Sequence, residues 1–323
     1  MLLAAPKAHA EERSDKAVFV TLGTGGGPRV QTKRAQPANA VIVNGAVYLF
    51  DTGAGVQRQM AEAGIDLANL RGIFLSHHHI DHVGGLSSLL VNRWVNARYS
   101  AIPVIGPPGT SAMVGMDIAA ARQIELAPVN IAANIPPLAG TVAARDLPMV
   151  ADSPIEIYSD ENIRVLAVTN AHYHFPAGSE SAVKARSYAF RIEAGGHSIV
   201  YTGDTGPSAH VELLAKDADL LVSEVMDYPA IAASLGEMAL PPGALDGILK
   251  HLRLSHLTPD DVGELAARAN VGGVVLTHLV PGLDGEPSVL GYLQGLASHY
   301  SGPVVVARDL QRFDPGLFPD GEK

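Results

Sequence analysis

The ten residues 76–85, SHHHIDHVGG, place four histidines and one aspartate within six consecutive positions. They follow an apolar run and end on a Gly-Gly pair, so the pattern predicts a buried strand at 71–76 that leads into a tight loop. Alternate side chains of an extended segment point the same way, which places His77 and His79 on one face and His78 on the other. Asp81 and His82 follow where the chain turns. Four side chains of ligand type on one loop predict a metal site, with His78 as a packing residue or as one that supports the ligands from outside.

The sequence contains no cysteine, which excludes thiolate catalysis, disulfides and cysteine-ligated zinc or iron–sulfur sites. Any metal must therefore be held by imidazole and carboxylate groups. The 323-residue chain is 47% hydrophobic and 17% charged, as expected of a folded protein with a sizeable core. No apolar run reaches the roughly 18 residues needed to cross a bilayer, so we expect no membrane partner.

Short apolar runs separated by glycine-marked turns predict strands along most of the chain. Two hairpins are expected, one turning at Asn44-Gly45 and one at Gly195-Gly196. Helices are expected at 56–63, 111–125, 208–216 and 288–299, and another is expected to begin at Thr258. The alternation of strands and helices predicts two sheets packed together with helices outside.

The chain is expected to form a single domain at 17–315, followed by a short tail at 316–323. The segment 107–160 is rich in Ala and Pro and is interpreted as an insertion lying over the fold, where loops often contact substrate. In the first 16 residues, Ala8-His9-Ala10 has the A-x-A form of a signal-peptidase site. We expect either the end of an export signal, and hence a periplasmic or secreted protein, or a disordered tail on a cytoplasmic one.

The motif His77-x-His79-x-Asp81-His82 behind an apolar strand resembles the signature of the metallo-β-lactamase-fold hydrolases. Four further segments occur in the order found in that family, namely LGTGGGP (22–28), YLFDTGAG (48–55), YTGDTG (201–206) and VVLTHL (274–279). Within the family, the LGTGGG and TGDTG segments are most similar to the ribonuclease Z and arylsulfatase-like branch. The resemblance covers about residues 17–310. It implies an α/β fold, an αβ/βα sandwich of two mixed sheets packed face to face, with metals at one edge between the sheets.

The resemblance implies a dinuclear centre with two zinc ions per chain, and iron or manganese as alternative metals. One ion would be held by His77, His79 and His172, the second by Asp81, His82 and His278, with Asp204 bridging the two. His174 is the alternative to His172, because both side chains fall on the same side of an extended segment.

The chemistry that the resemblance implies is hydrolysis by a hydroxide that bridges the two metals. Metal coordination lowers the pKa of water from about 15.7 to about 7. Asp81 would orient this nucleophile, His256 would protonate the leaving group as general acid, and Glu224 would orient His256. The alternatives are that His256 only stabilises a turn and that Glu224 is a buried carboxylate with its hydrogen bonds made within the fold and no role in catalysis.

The expected substrate is a small ester-type molecule, namely a phosphodiester, an aryl ester or a sulfate. The formal net charge is −10 and Lys33-Arg34 is the largest basic cluster. We therefore expect no nucleic-acid partner and doubt processing of transfer RNA, since nucleic-acid surfaces usually show clustered Lys and Arg. The alternatives are a β-lactamase or lactonase using the same site, and an iron-dependent oxidoreductase on the same fold. The sequence does not predict an oligomeric state.

Overall fold

The computed structural model describes residues 16–128, 134–241, 243–284 and 288–318, and within these ranges the strands form two seven-stranded sheets. The first contains β1 (Val18–Gly23), β2 (Ala38–Val43), β3 (Ala46–Thr52), β4 (Leu70–Phe74), β5 (Ile102–Gly106), β6 (Val142–Asp146) and β14 (Gln311–Phe313). The second contains β7 (Ile155–Ser159), β8 (Ile163–Thr169), β9 (Tyr188–Ala194), β10 (His197–Tyr201), β11 (Leu220–Met226), β12 (Gly273–Val280) and β13 (Val304–Val306). Their spatial orders are β14-β1-β2-β3-β4-β5-β6 and β13-β12-β11-β10-β9-β8-β7.

The helices of the described ranges lie between these strands in sequence. They are α1 (Val56–Glu62), α2 (Ile80–Val83), α3 (Leu86–Val95), α4 (Thr110–Ala120), α5 (Arg122–Leu126), α6 (Glu180–Lys184), α7 (Ala209–Ala215), α8 (Tyr228–Gly236), α9 (Ala244–Ser255) and α10 (Pro259–Arg268). Short 3₁₀ turns occur at Leu67–Asn69, Leu138–Thr141, Leu290–Tyr292, Leu296–Ser298 and Pro315–Leu317. Among the described helices, none has the length and apolar character that crossing a membrane would require.

Apolar layers hold the two sheets and their helices together. Aromatic side chains fill the space between the sheets, where the ring centroid of Phe50 lies 4.9 Å from that of Phe74 and 5.7 Å from that of Phe190. Each fully buried ring of this kind stabilises the fold by roughly 1.5–3 kcal/mol. Helices α1, α3 and α4 pack on the outer face of the first sheet, and α7 and α10 on that of the second. The predicted αβ/βα sandwich is confirmed.

Both predicted hairpins form, because their turn residues adopt the positive φ angles that two-residue turns require. The φ angles are 51° and 77° at Asn44 and Gly45, and 58° and 80° at Gly195 and Gly196. The helix expected after Thr258 is also confirmed. The Thr258 side chain accepts a hydrogen bond from the backbone of the third helical residue in a capping box at the start of α10.

The structure corrects two expectations about elements. The segment 107–160 does not simply lie over the fold, because it supplies one of the two edge strands of each sheet: β6 pairs in parallel with β5, and β7 pairs antiparallel with β8. The helix expected at 288–299 is replaced by two separate 3₁₀ turns, with Gly295 at a φ of 94° between them. A positive φ of this size is incompatible with a continuous right-handed helix.

The two chain ends are described only in part. The predicted tail, including Ala8-His9-Ala10, falls almost entirely in residues 1–15, which lie outside the described residues, as do residues 319–323. Within the C-terminal segment expected to be a tail, Phe318 packs against the core between the sheets. The domain limits 17–315 therefore stay a prediction.

Candidate metal centre

The histidine-rich loop begins where β4 ends and runs directly into α2. His77 is fully buried, whereas His79 is exposed and stands at the N-terminal cap of α2. Asp81 and His82 are buried residues of that short helix. The local sequence therefore presents four side chains from one strand end and one helical turn.

The other three predicted ligands come from the second sheet. His172 follows β8, and Asp204 follows β10 after Gly203, whose φ is 57°. His278 lies in β12 at an irregularity of the ladder, since Glu224 pairs with Thr277 and the next residue of β11 pairs with Leu279. The backbone of His278 has a φ of 43°, a conformation that non-glycine residues rarely adopt. Strained backbone of this kind occurs preferentially at functional sites.

The seven predicted ligands form two adjoining groups. Potential ligand atoms lie within 4.8 Å of one another in each group, the first being His77, His79, His172 and Asp204, and the second Asp81, His82 and His278. Asp204 faces both groups. Its Oδ2 lies 3.7 Å from His77 Nε2 and 3.1 Å from His278 Nε2, and its Oδ1 lies 3.3 Å from His82 Nε2. The structure thus brings all seven residues together, and their roles as ligands stay a prediction.

His172 and His174 differ clearly in their surroundings. The Nε2 atom of His172 lies 3.2 Å from His79 Nδ1, and its Nδ1 bonds to the carbonyl oxygen of Ser255 at 3.0 Å. His174 Nε2 instead lies 3.0 Å and 2.9 Å from the carbonyl oxygens of Ala171 and Leu254. This geometry favours His172 over His174 as a ligand. His78 lies outside both groups, with its Nε2 2.8 Å from Thr110 Oγ1.

The donor set at this centre suits metal ions. Several buried atoms lack a hydrogen-bond partner among the described residues, namely His77 Nε2, His82 Nε2, Asp204 Oδ1 and both ring nitrogens of His278. Buried polar atoms are nearly always paired, and imidazole and carboxylate groups are zinc ligands. Burial lowers the pKa of His77, and it lowers the pKa of His172 to about 3. The rings of His77 and His172 are therefore neutral near neutral pH. At His82 and His278 burial also acts to lower the pKa, but the carboxylate of Asp204 raises it, to about 10 for His278, so metal binding would displace protons from these two rings.

Asp51, to which no role was assigned from the sequence, holds the predicted ligand His82 in place. It is fully buried and accepts hydrogen bonds from His82 Nδ1 at 2.8 Å, Tyr201 Oη at 2.7 Å and Ser76 Oγ at 2.7 Å. Ser76 Oγ also lies 3.0 Å from His77 Nδ1. A partner on one ring nitrogen fixes the ring and turns the other nitrogen toward the metal. The signal in the sequence was the aspartate of YLFDTGAG.

The backbone of the glycine-rich segment GTGGGP (23–28) lies close to two predicted ligands, Asp81 and His278. The Gly26 N–H donates to the carbonyl oxygen of Leu279 at 3.0 Å. A Cβ atom on Gly27 would lie 2.1 Å from Asp81 Oδ2, and one on Gly26 would lie 3.1 Å from His278 Cε1. The close approach of backbone to side chain requires glycine at position 27.

His256 and Glu224 form a buried pair beside the predicted ligands. His256 Nδ1 lies 2.7 Å from Glu224 Oε2, and the His256 ring centroid is 5.2 Å from that of His172. Burial alone would lower the pKa of His256, but the carboxylates of Glu224 and Asp204 raise it, and the net shift is upward. His256 also groups with Asp204 and His278 within 4.8 Å. A histidine at the centre can therefore carry a proton at neutral pH.

Comparisons with known proteins show the family to which the chain is similar. The chain matches the Beta-lactamase superfamily domain over residues 46–279. "Ribonuclease Z" of Mycolicibacterium paratuberculosis is 32% identical over 301 residues, which are 91% of this chain and 97% of that protein. "Ribonuclease Z" of Mycobacterium bovis is 28% identical over 307 residues, which are 91% of this chain and 96% of that protein.

Solved structures support the fold. The metallo-β-lactamase fold protein YhfI from Bacillus subtilis has a TM-score of 0.63 and 18% identity, covering 93% of this chain and 99% of that one. Human tRNase Z, short form, has a TM-score of 0.61 and 21% identity, covering 94% of this chain and 99% of that one. Likeness at these identities concerns the fold alone.

One prediction needs correction. A small-molecule partner and no nucleic acid were expected from the net charge of −10, but the relatives of this chain are nucleases by name, so that expectation is wrong. Net charge sums over the whole surface, so a negative total does not exclude RNA binding at one part of that surface. With the match over 46–279 and 32% identity to a full-length relative, the chain belongs to the β-lactamase superfamily, in its ribonuclease Z branch, and is a metal-dependent hydrolase.

Proposed function

We propose that this chain hydrolyses a phosphodiester bond in RNA, with precursor transfer RNA as the substrate. The names of the relatives support an RNA substrate. The observation that carries the proposal is the His256–Glu224 pair, with its 2.7 Å contact, beside the two groups of predicted ligands. The pair would supply a proton donor for the leaving oxygen.

The metal expected is zinc, in two ions. His77, His79 and His172 would hold one ion, Asp81, His82 and His278 the other, and Asp204 would contact both. When bound, the pair of ions supplies a water-derived nucleophile near neutral pH and offsets the charge of the phosphate. Iron and manganese suit the same nitrogen and oxygen ligands and stay alternatives.

The chain's own residues have three tasks in this proposal. Asp81 lies among the predicted ligands, with its Oδ2 3.5 Å from both His82 Nε2 and His278 Nε2. Its carboxylate would accept a hydrogen bond from the attacking water and orient it. His256 would give the proton on Nε2 to the leaving oxygen. Glu224 would hold the other ring nitrogen and stabilise the charged imidazole.

An RNA substrate also bears on location. Precursor RNA is present where transcription takes place, and this favours the cytoplasm over the export expected from Ala8-His9-Ala10. That export signal remains an untested prediction.

The test uses the zinc-reconstituted chain and a precursor transfer RNA with a 3′ trailer. We expect cleavage at one bond near the start of the trailer, mapped on a sequencing gel, and loss of cleavage in Asp204→Ala. An exposed, distant substitution, Leu317→Ala, is the control and should cleave like the wild type. A wild-type protein that carries its full complement of zinc and leaves the RNA intact would contradict the proposal.

A further inference from the structure

A cavity of about 290 Å³ lies next to the predicted metal centre, beyond His172. Tyr173 and Phe175 form an aromatic wall, with ring centroids 4.9 Å apart and planes inclined by 30°. The Tyr173 ring also lies 5.0 Å from the His172 ring and 5.4 Å from the His79 ring. The aromatic pair therefore extends from the predicted ligands into the cavity.

The lining also contains two buried polar atoms without a hydrogen-bond partner in the described part of the chain, Asn170 Oδ1 and Ser187 Oγ. The orientation of the Asn170 amide is fixed, because its Nδ2 donates to the carbonyl oxygens of Thr202 and Asp204, both at 2.9 Å. Its Oδ1 is therefore an unused acceptor. Ser187 is only 4% exposed. Since buried polar atoms are normally paired, the two atoms suit a ligand with adjacent donor and acceptor groups.

Arg186 adds a fixed positive charge to the same lining. Its Nε donates to the carbonyl oxygen of Met149 at 2.8 Å, and its Nη1 to those of Ala182 at 3.0 Å and Ala185 at 2.6 Å. These bonds hold the guanidinium in place. Asp152, the acidic residue of the lining, has a side chain that is 68% exposed. The cavity thus combines aromatic faces, unpaired polar atoms and a positioned cation.

We propose that this cavity binds the base of a nucleotide next to the scissile phosphate, an inference that rests on the proposed RNA substrate. The base would stack on Phe175 and place its hydrogen-bonding edge against Asn170 Oδ1 and Ser187 Oγ. Unpaired RNA bases are recognised by such stacking and edge contacts. Arg186 would offer its charge to the adjoining phosphate.

The same contacts indicate what kind of selectivity to expect. Each of the four bases carries an N–H donor beside an acceptor on its pairing edge, and each has a face that can stack. The cavity therefore distinguishes a nucleotide with a base from one without, and it does not select one base identity. Asn170 also joins the cavity to the backbone of Asp204, so it is a positioning residue for the centre.

The test measures equilibrium binding of a stem-loop RNA with a single-stranded 3′ tail to the zinc-loaded full chain. Phosphorothioate linkages in the tail slow its hydrolysis, and each tail nucleotide is replaced in turn by an abasic one. We expect one position at which the abasic replacement raises Kd about tenfold. Phe175→Leu keeps an apolar side chain without an aromatic face and should remove most of that tenfold difference.

Ser187→Ala is the second variant, and Ser298→Ala, an exposed serine on a 3₁₀ turn, is its matched control. Ser187→Ala should raise Kd several-fold for the intact tail without lowering the melting temperature, because the Ser187 hydroxyl has no hydrogen-bond partner among the described residues to lose. Ser298→Ala should bind like the wild type. A base-to-abasic difference that is equal in wild type, Phe175→Leu and Ser187→Ala would overturn the inference and leave the RNA substrate supported. Failure of the wild type to bind RNA at all would contradict both proposals.

Discussion

His172 and His174 stand two positions apart, and their ring nitrogens face different partners. His172 reaches the group that contains His79, whereas His174 bonds to backbone carbonyl oxygens. We predict that His172→Ala loses about one zinc ion per chain and nearly all activity, while His174→Ala keeps its metal. Elemental analysis of the purified variants measures this directly. Equal zinc in the two variants would show that the ligand assignment is wrong.

His256 should act in its protonated form, which gives the activity a defined pH dependence. Burial opposes the charged ring, but Glu224 and Asp204 raise its pKa above the usual 6.5. Activity should therefore fall as the pH rises through that raised value. Glu224→Gln removes a negative charge and should move the fall to lower pH. His256→Ala should lower kcat by roughly 10²–10⁴-fold with zinc retained.

Rate measurements across neutral and alkaline pH, with zinc analysis of each variant, decide this point. An alkaline fall at the same pH in wild type and Glu224→Gln would argue against the proposed role. So would loss of zinc from His256→Ala, because it would make His256 a ligand, as its position near Asp204 and His278 also allows.

Six of the seven predicted ligands could be proposed from the sequence because each belongs to a short motif, such as His77-x-His79-x-Asp81-His82, whereas His172 belongs to none of these motifs and had His174 as its alternative. Asp51 was not proposed, although it is the acidic residue of YLFDTGAG. Its partners His82 and Tyr201 lie 31 and 150 positions away in the chain, and only the packing of the two sheets brings them together. A supporting residue with distant partners has no local spacing by which to recognise it.

At the scale of elements, local turn chemistry was predictable and long-range pairing was not. Asn44-Gly45 and the Thr258 capping box are decided by neighbouring residues, and both form as expected. Strand β6 was not predicted from the sequence, because it is defined by its pairing with β5, from which helices α4 and α5 separate it along the chain. Helix α8 was not predicted at all, and it has no buried side chain that would mark an apolar face.

Asp160, in the turn between β7 and β8, is expected to contribute to the free energy of unfolding. Asp160 Oδ2 accepts hydrogen bonds from Tyr48 Oη at 2.6 Å and Tyr158 Oη at 2.8 Å, and Oδ1 accepts from the backbone N–H groups of Asn162 and Ile163. Because Tyr48 belongs to β3, this carboxylate joins the two sheets. Asp160→Ala should lower the free energy of unfolding by about 2 kcal/mol, measured by urea denaturation.

The same carboxylate should make stability depend on acid pH. Burial raises the pKa of Asp160, but hydrogen bonds from Tyr48 and from the backbone lower it, and the net shift is downward. Its contribution is therefore present above the unfolded pKa of about 3.9 and is lost as the pH falls through the lower folded value. The advantage of wild type over Asp160→Asn should be constant from neutral pH down to about pH 5 and should shrink as the pH falls below the unfolded pKa of about 3.9. An advantage that stays constant would contradict this account.

At the scale of the whole molecule, the net charge of −10 does not describe how the positive side chains are distributed over the surface. Arg29 and Lys33 are exposed on the segment that follows Gly26 and Gly27 over the centre. Asp284 holds this segment by accepting the backbone N–H of Lys33 at 2.8 Å. The prediction about nucleic acid rested on the total charge, which gives no weight to a few exposed cations on one segment.

We predict that Arg29→Ala with Lys33→Ala weakens binding to all RNA sequences alike. The slope of log Kd against log salt concentration should fall by about one for each phosphate that the variant no longer neutralises. Lys16→Ala serves as the matched control, since Lys16 is exposed and precedes β1 at the end of the strand away from the centre. A double variant with the slope of the wild type would place the RNA elsewhere on the surface.

The most direct measurement is of the ends that cleavage leaves on a precursor transfer RNA. Attack by water activated at a metal centre gives linear phosphate and hydroxyl ends, whereas attack by the RNA's own 2′-hydroxyl gives a 2′,3′-cyclic phosphate. Mass spectrometry of both fragments should find linear ends only, with cleavage lost on chelation and restored by zinc. Cyclic phosphate ends, or cleavage that survives removal of the metal, would contradict the account of this centre as a metal-dependent RNA phosphodiesterase.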